Sequence, residues 1–178
     1  VTPLRRRHAK RLAGAVVAGA AFKALGGCGF KLRGAVAFKF NKLYADFPGS
    51  SATGAEFRRL MRSSGTVELV DRPESADVIM TSVNEFREKE ITGFSSTGRP
   101  REYQLRLRFN YVLRDAKGNI ISDRNEIILR RDVTTTDAQI AARQQEEVLI
   151  FREMQTDLVQ QLMRRLAAVD PQQPQRSS

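Results

Sequence analysis

At 178 residues, with 41% apolar and 28% charged side chains, the chain is long enough for one domain with a buried core and too short for two. Its formal net charge of +10 invites a nucleic-acid partner, but six of the 30 basic residues and none of the 20 acidic ones precede Cys28, which leaves about +4 on the remainder. No zinc-finger, RNA-recognition or phosphate-loop pattern accompanies that charge, so a solvated mixed-sign surface is expected and nucleic-acid binding is set aside.

Residues 1–27 have the order of a secretory signal: a cationic head (1–11), an apolar run (12–22), then Leu25-Gly26-Gly27 before Cys28. As a helix, residues 12–25 would span about 21 Å, short of a hydrocarbon core of roughly 30 Å, so a removable signal is expected rather than a permanent span. The chain's single cysteine completes Leu25-Gly26-Gly27-Cys28, which resembles a bacterial lipobox. In a lipobox the thiol is acylated and the peptide is cut just before it. Cys28 then opens the mature chain on acyl anchors that contribute about 0.8 kcal/mol per buried CH₂. Lys23 interrupts the apolar run and bears on the efficiency of cleavage. Gly29 stands where an Asp would, in enteric bacteria, signal retention at the inner membrane, so the outer membrane is expected. The plain alternative makes Cys28 a small apolar residue at the start of a domain.

In the mature chain, Val36, Phe38, Phe40 and Leu43 mark a first half-buried strand over residues 36–44, ended by Pro48-Gly49-Ser50-Ser51. Phe57, Leu60 and Met61, followed by Gly65, predict a short amphipathic helix over 53–63. Residues 66–70 and 76–83 are strand material interrupted by Asp71-Arg72-Pro73, and the charged stretch 86–91 extends the second piece as an exposed ribbon. Residues 93–100 form a turn cluster. Tyr103, Leu105, Leu107, Phe109 and Tyr111 alternate strictly with polar residues and define a strand with one buried face. Asp115-Ala116-Lys117-Gly118-Asn119 turns the chain, and residues 120–133 return antiparallel, bringing Arg106, Arg108, Arg130 and Arg114 near one another. Asp137 is placed to cap a long last helix whose stripe is Val148, Phe151, Met154, Leu158, Leu162 and Leu166, and 170–178 is a polar tail expected to be disordered. The stripe suits a core-facing helix rather than one lying on a membrane. The predicted fold is an α+β two-layer sandwich: a mostly antiparallel four-stranded sheet covered on one face by two helices, over residues 28–169.

At three points the mature chain resembles the LptE family of LPS-assembly lipoproteins. Gly27-Cys28-Gly29-Phe30-Lys31-Leu32-Arg33 is similar to the family's opening, Arg101-Glu102-Tyr103-Gln104-Leu105 to its Glu-Tyr-Gln strand, and Glu146-Glu147 through Arg164-Arg165-Leu166 to its closing helix. The resemblance implies an outer-membrane, periplasm-facing lipoprotein that pairs one to one with the β-barrel LptD. It sits in the barrel lumen, keeps the barrel folded and binds lipopolysaccharide during export. It implies no cofactor beyond the covalent N-terminal lipid. Guanidinium groups suit the phosphates of such a ligand. The candidate contacts are Arg99 and Arg101 before the Glu-Tyr-Gln strand, Arg106 and Arg108 on its polar face, and Arg143, where the family tends to carry a basic residue. The alternative at each position is an ordinary solvated arginine. A generic lipoprotein accessory to another envelope transporter is the other functional reading.

Catalysis is not expected. The sole histidine, His8, precedes the cleavage site and the sole cysteine is the lipidation site, which removes His-based triads and common zinc ligand sets. A mechanism on two carboxylates would have to draw on Glu85, Glu88 and Glu90, the one dense acidic patch, and would need a concave pocket lined by paired acids.

Overall fold

The period-2 and period-3.6 patterns of the sequence become five strands and two helices over the described residues of this computed structural model, 37–134 and 140–172, with side chains of the last helix from residue 144 onward. In chain order these are β1 (Lys42–Asp46), α1 (Ala52–Ser64), β2 (Glu68–Leu69), a 3-10 turn (Pro73–Ser75), β3 (Val78–Phe94), β4 (Pro100–Asp115), β5 (Ile120–Thr134) and α2 (Ile140–Ala168). The fold is α+β, but the sheet has five strands and is mixed, where four mostly antiparallel strands were expected. Its order is β2-β1-β3-β4-β5, with β1 parallel to both β2 and β3 and the rest antiparallel.

The reason lies in α1. A helix between two strands carries the chain back to the end where the first strand began, so the strand that follows enters parallel to it. The two strand pieces around Pro73 therefore do not join. β2 pairs along one edge of β1 and β3 along the other, and Asp77 ties the crossing together by accepting from the backbone N–H of both Asn41 and Lys42 at 2.9 Å. Phe38 and Phe40, predicted as strand, precede β1 and pack edge to face with centroids 5.4 Å apart.

Local chemistry sets the ends of α1. The Ser51 hydroxyl accepts from Gly54 N–H at 3.0 Å, and Gly65 closes the helix at φ +63°, a left-handed conformation that costs glycine little. Gly54 lies so close to Phe47 that a Cβ there would come within 2.6 Å of the phenylalanine's own Cβ. That contact brings Phe47 to Phe57 and Phe109, with ring centroids 5.5 and 5.9 Å away.

Both helices pack onto one face of the sheet. Phe57 and Met61 from α1, and Met154, Leu158, Val159, Leu162 and Leu166 from α2, share a single core with Leu43, Val78, Met80 and the alternating row Leu105 to Leu113 of β4. The predicted stripe of α2 holds from Phe151 onward, but Val148 is 59% exposed. At 3.6 residues per turn Val148 lies about 80° from Leu158 around the helix, whereas Glu147 lies about 20° away and occupies the stripe. Asp137, the predicted cap, lies outside the described residues. Of the predicted tail, Asp170 is described: it pairs with Lys39 at 3.5 Å and accepts from Gln172 N–H at 3.0 Å.

Candidate ligand-binding surface

The sheet face away from the helices carries the polar half of each alternating strand. Its layout depends on one residue. The β3–β4 register shifts between Ser82 and Asn84, so Val83 is an extra residue in β3, and side chains beyond it change face. Before the bulge Val78, Met80 and Ser82 lie opposite Asp115, Leu113 and Tyr111 on the helix side. After it Glu85, Arg87 and Lys89 lie opposite Phe109, Leu107 and Leu105 on that side, while Phe86, Glu88 and Glu90 lie opposite Arg108, Arg106 and Gln104 on the open side. The acidic patch of the sequence is thereby divided, with Glu85 facing α2 and Glu88 and Glu90 facing away.

On the open side, Arg106 and Arg108 fall into a ladder of opposite charges. The Arg108 Nη2 donates to Glu88 at 2.6 Å; Arg106 lies 3.7 Å from Glu88 and 3.3 Å from Glu90 and also donates to the Gln104 side chain. Gln104 in turn donates to Asp132 on β5 at 3.0 Å. The Arg108 guanidinium stacks over Phe86, 5.5 Å from its centroid. Both arginine Nε atoms are shielded and have no hydrogen-bond partner. Sequence alternation located these arginines on the open face, but Glu88 and Glu90 as their partners were not foreseen, because the pairing follows from the register and the bulge. Arg130 stands directly opposite Arg106, as expected. Arg114 does not join them: it pairs with Ile79 and Ile120, six residues along β4 from Arg108, roughly 20 Å away.

Arg99 and Arg101 sit at the turn between β3 and β4, at one end of this face. The turn is held by Ser95 N–H donating to the Arg99 carbonyl at 2.7 Å and by Ser95 Oγ accepting from Arg99 N–H. Arg101 is exposed on the first residues of β4. Arg143 lies in the first turns of α2, with its side chain outside the described residues, as is Cys28 altogether. Thus Arg99 is near Arg101 in the chain, Arg106 is beside Arg108, and the first pair lies at the turn and start of β4 while the second lies further along it.

Two cavities lie at the opposite end of the sheet. One of about 230 Å³ is walled by Leu113, Ile121 and Val169, with Tyr111 and Arg165 among its polar lining. Burial pushes the Tyr111 phenol up, and Arg165, which hydrogen-bonds to it, partly offsets that. The other, about 360 Å³, has Asp77 and Asp115 on its wall. Both carboxylates are already engaged: Asp77 by the β1 backbone, and Asp115 by Lys117 N–H, Asn119 N–H and the Asn119 amide, each at 2.8 Å. Those donors, Asn119 first, hold the Asp115 carboxyl below the usual carboxylate range. No cluster of three metal-ligating side chains occurs among the described residues, and none of their helices is long and apolar enough to cross a membrane.

Comparison with known proteins gives this surface a context. The family model described as LptE, lipopolysaccharide-assembly, matches residues 40–166. No curated protein matches the chain. Among solved structures, the chain is similar to an uncharacterized lipoprotein B from Nitrosomonas europaea, with a TM-score of 0.68 and 33% identity over 79% of this chain and 91% of that one. It shares its fold with a rare lipoprotein B from Shewanella oneidensis (TM-score 0.65, 18% identity, 72% and 95% covered) and a minor lipoprotein from Acinetobacter baumannii (0.61, 17%, 79% and 99%).

Proposed function

Because this chain belongs to the LptE family of lipopolysaccharide-assembly proteins, we propose that it acts as a lipid-anchored, non-enzymatic partner of the LptD β-barrel at the outer membrane. It seats in the barrel lumen one to one and assists both barrel assembly and the passage of lipopolysaccharide. The observation that carries this reading is the extent of the family match, which takes in all five strands and nearly all of α2. Acylation of Cys28 supplies the anchor, and the domain of residues 28–169 faces the periplasm and the lumen.

We assign the candidate arginines to two tasks. Arg106 and Arg108 already bind Glu88 and Glu90, so their charge is offset locally and they stiffen the face. Arg99 and Arg101, on the β3–β4 turn, and Arg143 on α2 are the contacts for anionic groups of lipopolysaccharide, to which guanidinium binds in bidentate fashion.

Full-length tagged chain, expressed in a Gram-negative host and extracted from the outer membrane, is expected to carry an acylated Cys28 and to bring down a stoichiometric LptD-like barrel. Mass spectrometry reads both. An unacylated product without a barrel overturns the reading. An Arg99→Ala/Arg101→Ala/Arg143→Ala variant that stays folded is expected to lose lipopolysaccharide binding; if Arg106→Ala/Arg108→Ala loses it instead, the contacts lie on the ladder.

A further inference from the structure

The sheet has two edges, and they are unequal. β2 is two residues long, whereas β5 runs for 15 and pairs with no strand but β4 among the described residues. A long edge with unpaired backbone groups is a template for another strand unless it is guarded. Its open-face row is Glu126, Ile128, Arg130 and Asp132, continued by Arg124 at the register shift beyond Asn125, all exposed, with Ile128 36% exposed. One strand inward Arg106 and Arg108 are paired with Glu88 and Glu90, but no ion pair engages Arg124, Glu126, Arg130 or Asp132 among the described residues. Arg130 instead faces Arg106 directly, a like-charge pairing that costs stability when nothing relieves it.

The order of those charges is plus, minus, neutral, plus, minus. Reversed, it becomes minus, plus, neutral, minus, plus, which complements the original at every position. We propose that β5 is a self-pairing edge, on which a second copy of this chain adds its own β5 antiparallel about Ile128. Glu126 then meets Arg130 twice, Arg124 meets Asp132 twice, and the two Ile128 side chains meet at the axis. Arg130 gains the anion it lacks.

The register is selective. A shift of two in one sense sets Arg124 against Arg130, and in the other sets Glu126 against Asp132. A shift of one would bring the helix-facing Ile127 and Leu129 to the open face. The two-fold axis runs perpendicular to the sheet, so both α2 helices lie on the same side of a ten-stranded sheet. The edge also carries guards that limit its strength. Arg165 donates to the Glu126 carbonyl and Arg131 to the Arg130 carbonyl. Each carbonyl oxygen has a second lone pair, so a partner N–H can bind without displacing the guanidinium.

The test is sedimentation velocity over a concentration series on the full-length chain in detergent, with circular dichroism to confirm folding. The wild type is expected to reach a dimer. Glu126→Arg and Arg130→Glu, each of which sets like charges opposite one another twice, should weaken it about tenfold or more, and the double swap should restore it. Oxidation of Ile128→Cys should yield a covalent dimer, since directly opposed residues lie within disulfide reach. A monomer at every concentration overturns the proposal, as does a dimer indifferent to either single change or a double swap that restores nothing; in the last two cases residues outside β5 make the contact. The dimer is a state of the chain outside a barrel, so the series is run on chain separated from any copurifying barrel, and its outcome is read independently of that copurification.

Discussion

On either side of Val83, β3 faces the same layer of helices with opposite chemistry. Before the bulge it offers Val78 and Met80, both fully buried among Leu43, Phe57 and Met61. After it comes Glu85, Arg87 and Lys89. There α2 is met by the Arg87 guanidinium, 2.9 Å from the Gln155 side chain and 5.7 Å from the Phe151 centroid, and by Lys89, which pairs with Glu147 and lies 4.7 Å from the Tyr103 centroid. Arg131 adds a pair with Asp157 at 2.6 Å. A buried apolar side chain contributes about 1.5–3 kcal/mol, while a partly exposed ion pair or cation–π contact contributes about 1 or less. Along β3, then, one half is fastened by burial and the other by long side chains whose stems pack and whose charges pair, while β4 supplies buried Leu105 and Leu107 beside them. The second half is therefore expected to be the one that salt loosens and that opens first.

Three changes probe that contrast, in decreasing order of effect. Phe109→Ala removes the ring just beyond the bulge, opposite Glu85, on which the near half leans through Phe47 and Tyr111, stacked on it at 5.9 and 5.8 Å; it should cost about 3–5 kcal/mol in urea unfolding and lower every amide's protection together. A loss below about 1 kcal/mol would show that the near half does not depend on that packing. Arg87→Ala should cost about 1 kcal/mol, fall further in significance at high salt, and raise hydrogen exchange in residues 84–91 and 150–156 before the near half responds. Uniform exchange would mean that the two halves open as one.

The smallest effect is at the β4–β5 turn. Asp115 has its folded pKa lowered, chiefly by the Asn119 side chain, so its contribution is present above the ordinary carboxylate range and lost as pH falls through the lowered value. Asp115→Asn should remove that acid-range dependence and leave the far half unchanged. A wild-type Asp115 titrating at its ordinary value by NMR would contradict it.

Much of this was legible in the chain. α1 runs within one residue of the predicted 53–63 at each end and stops at Gly65 as read, because such punctuation is local chemistry, while the Ser51 cap was not read from the chain. The row from Leu105 to Tyr111 was readable because alternation reports a face directly, and the same reading placed Arg106 and Arg108 on the opposite side. The resemblance of short segments already pointed to the family whose model matches residues 40–166. The partners of those arginines were not legible, since they lie on another strand; the exposure of Val148 follows from helix angle alone and was missed because the stripe was extended one step too far.

What the sequence alone determined, then, is periodicity and punctuation: which stretches alternate, which turn, and where helices stop, all set within a few neighbouring residues. Tertiary structure decided the rest. Nothing near Val83 marks it as a bulge; it becomes one because the apolar residues of β3 and the amphipathic ones beyond them must all meet helices on a single face, and one extra residue is what reconciles the two runs. The insertion of β1 between β2 and β3 likewise depends on where α1 finds a surface to cover, a contact between residues far apart in the chain.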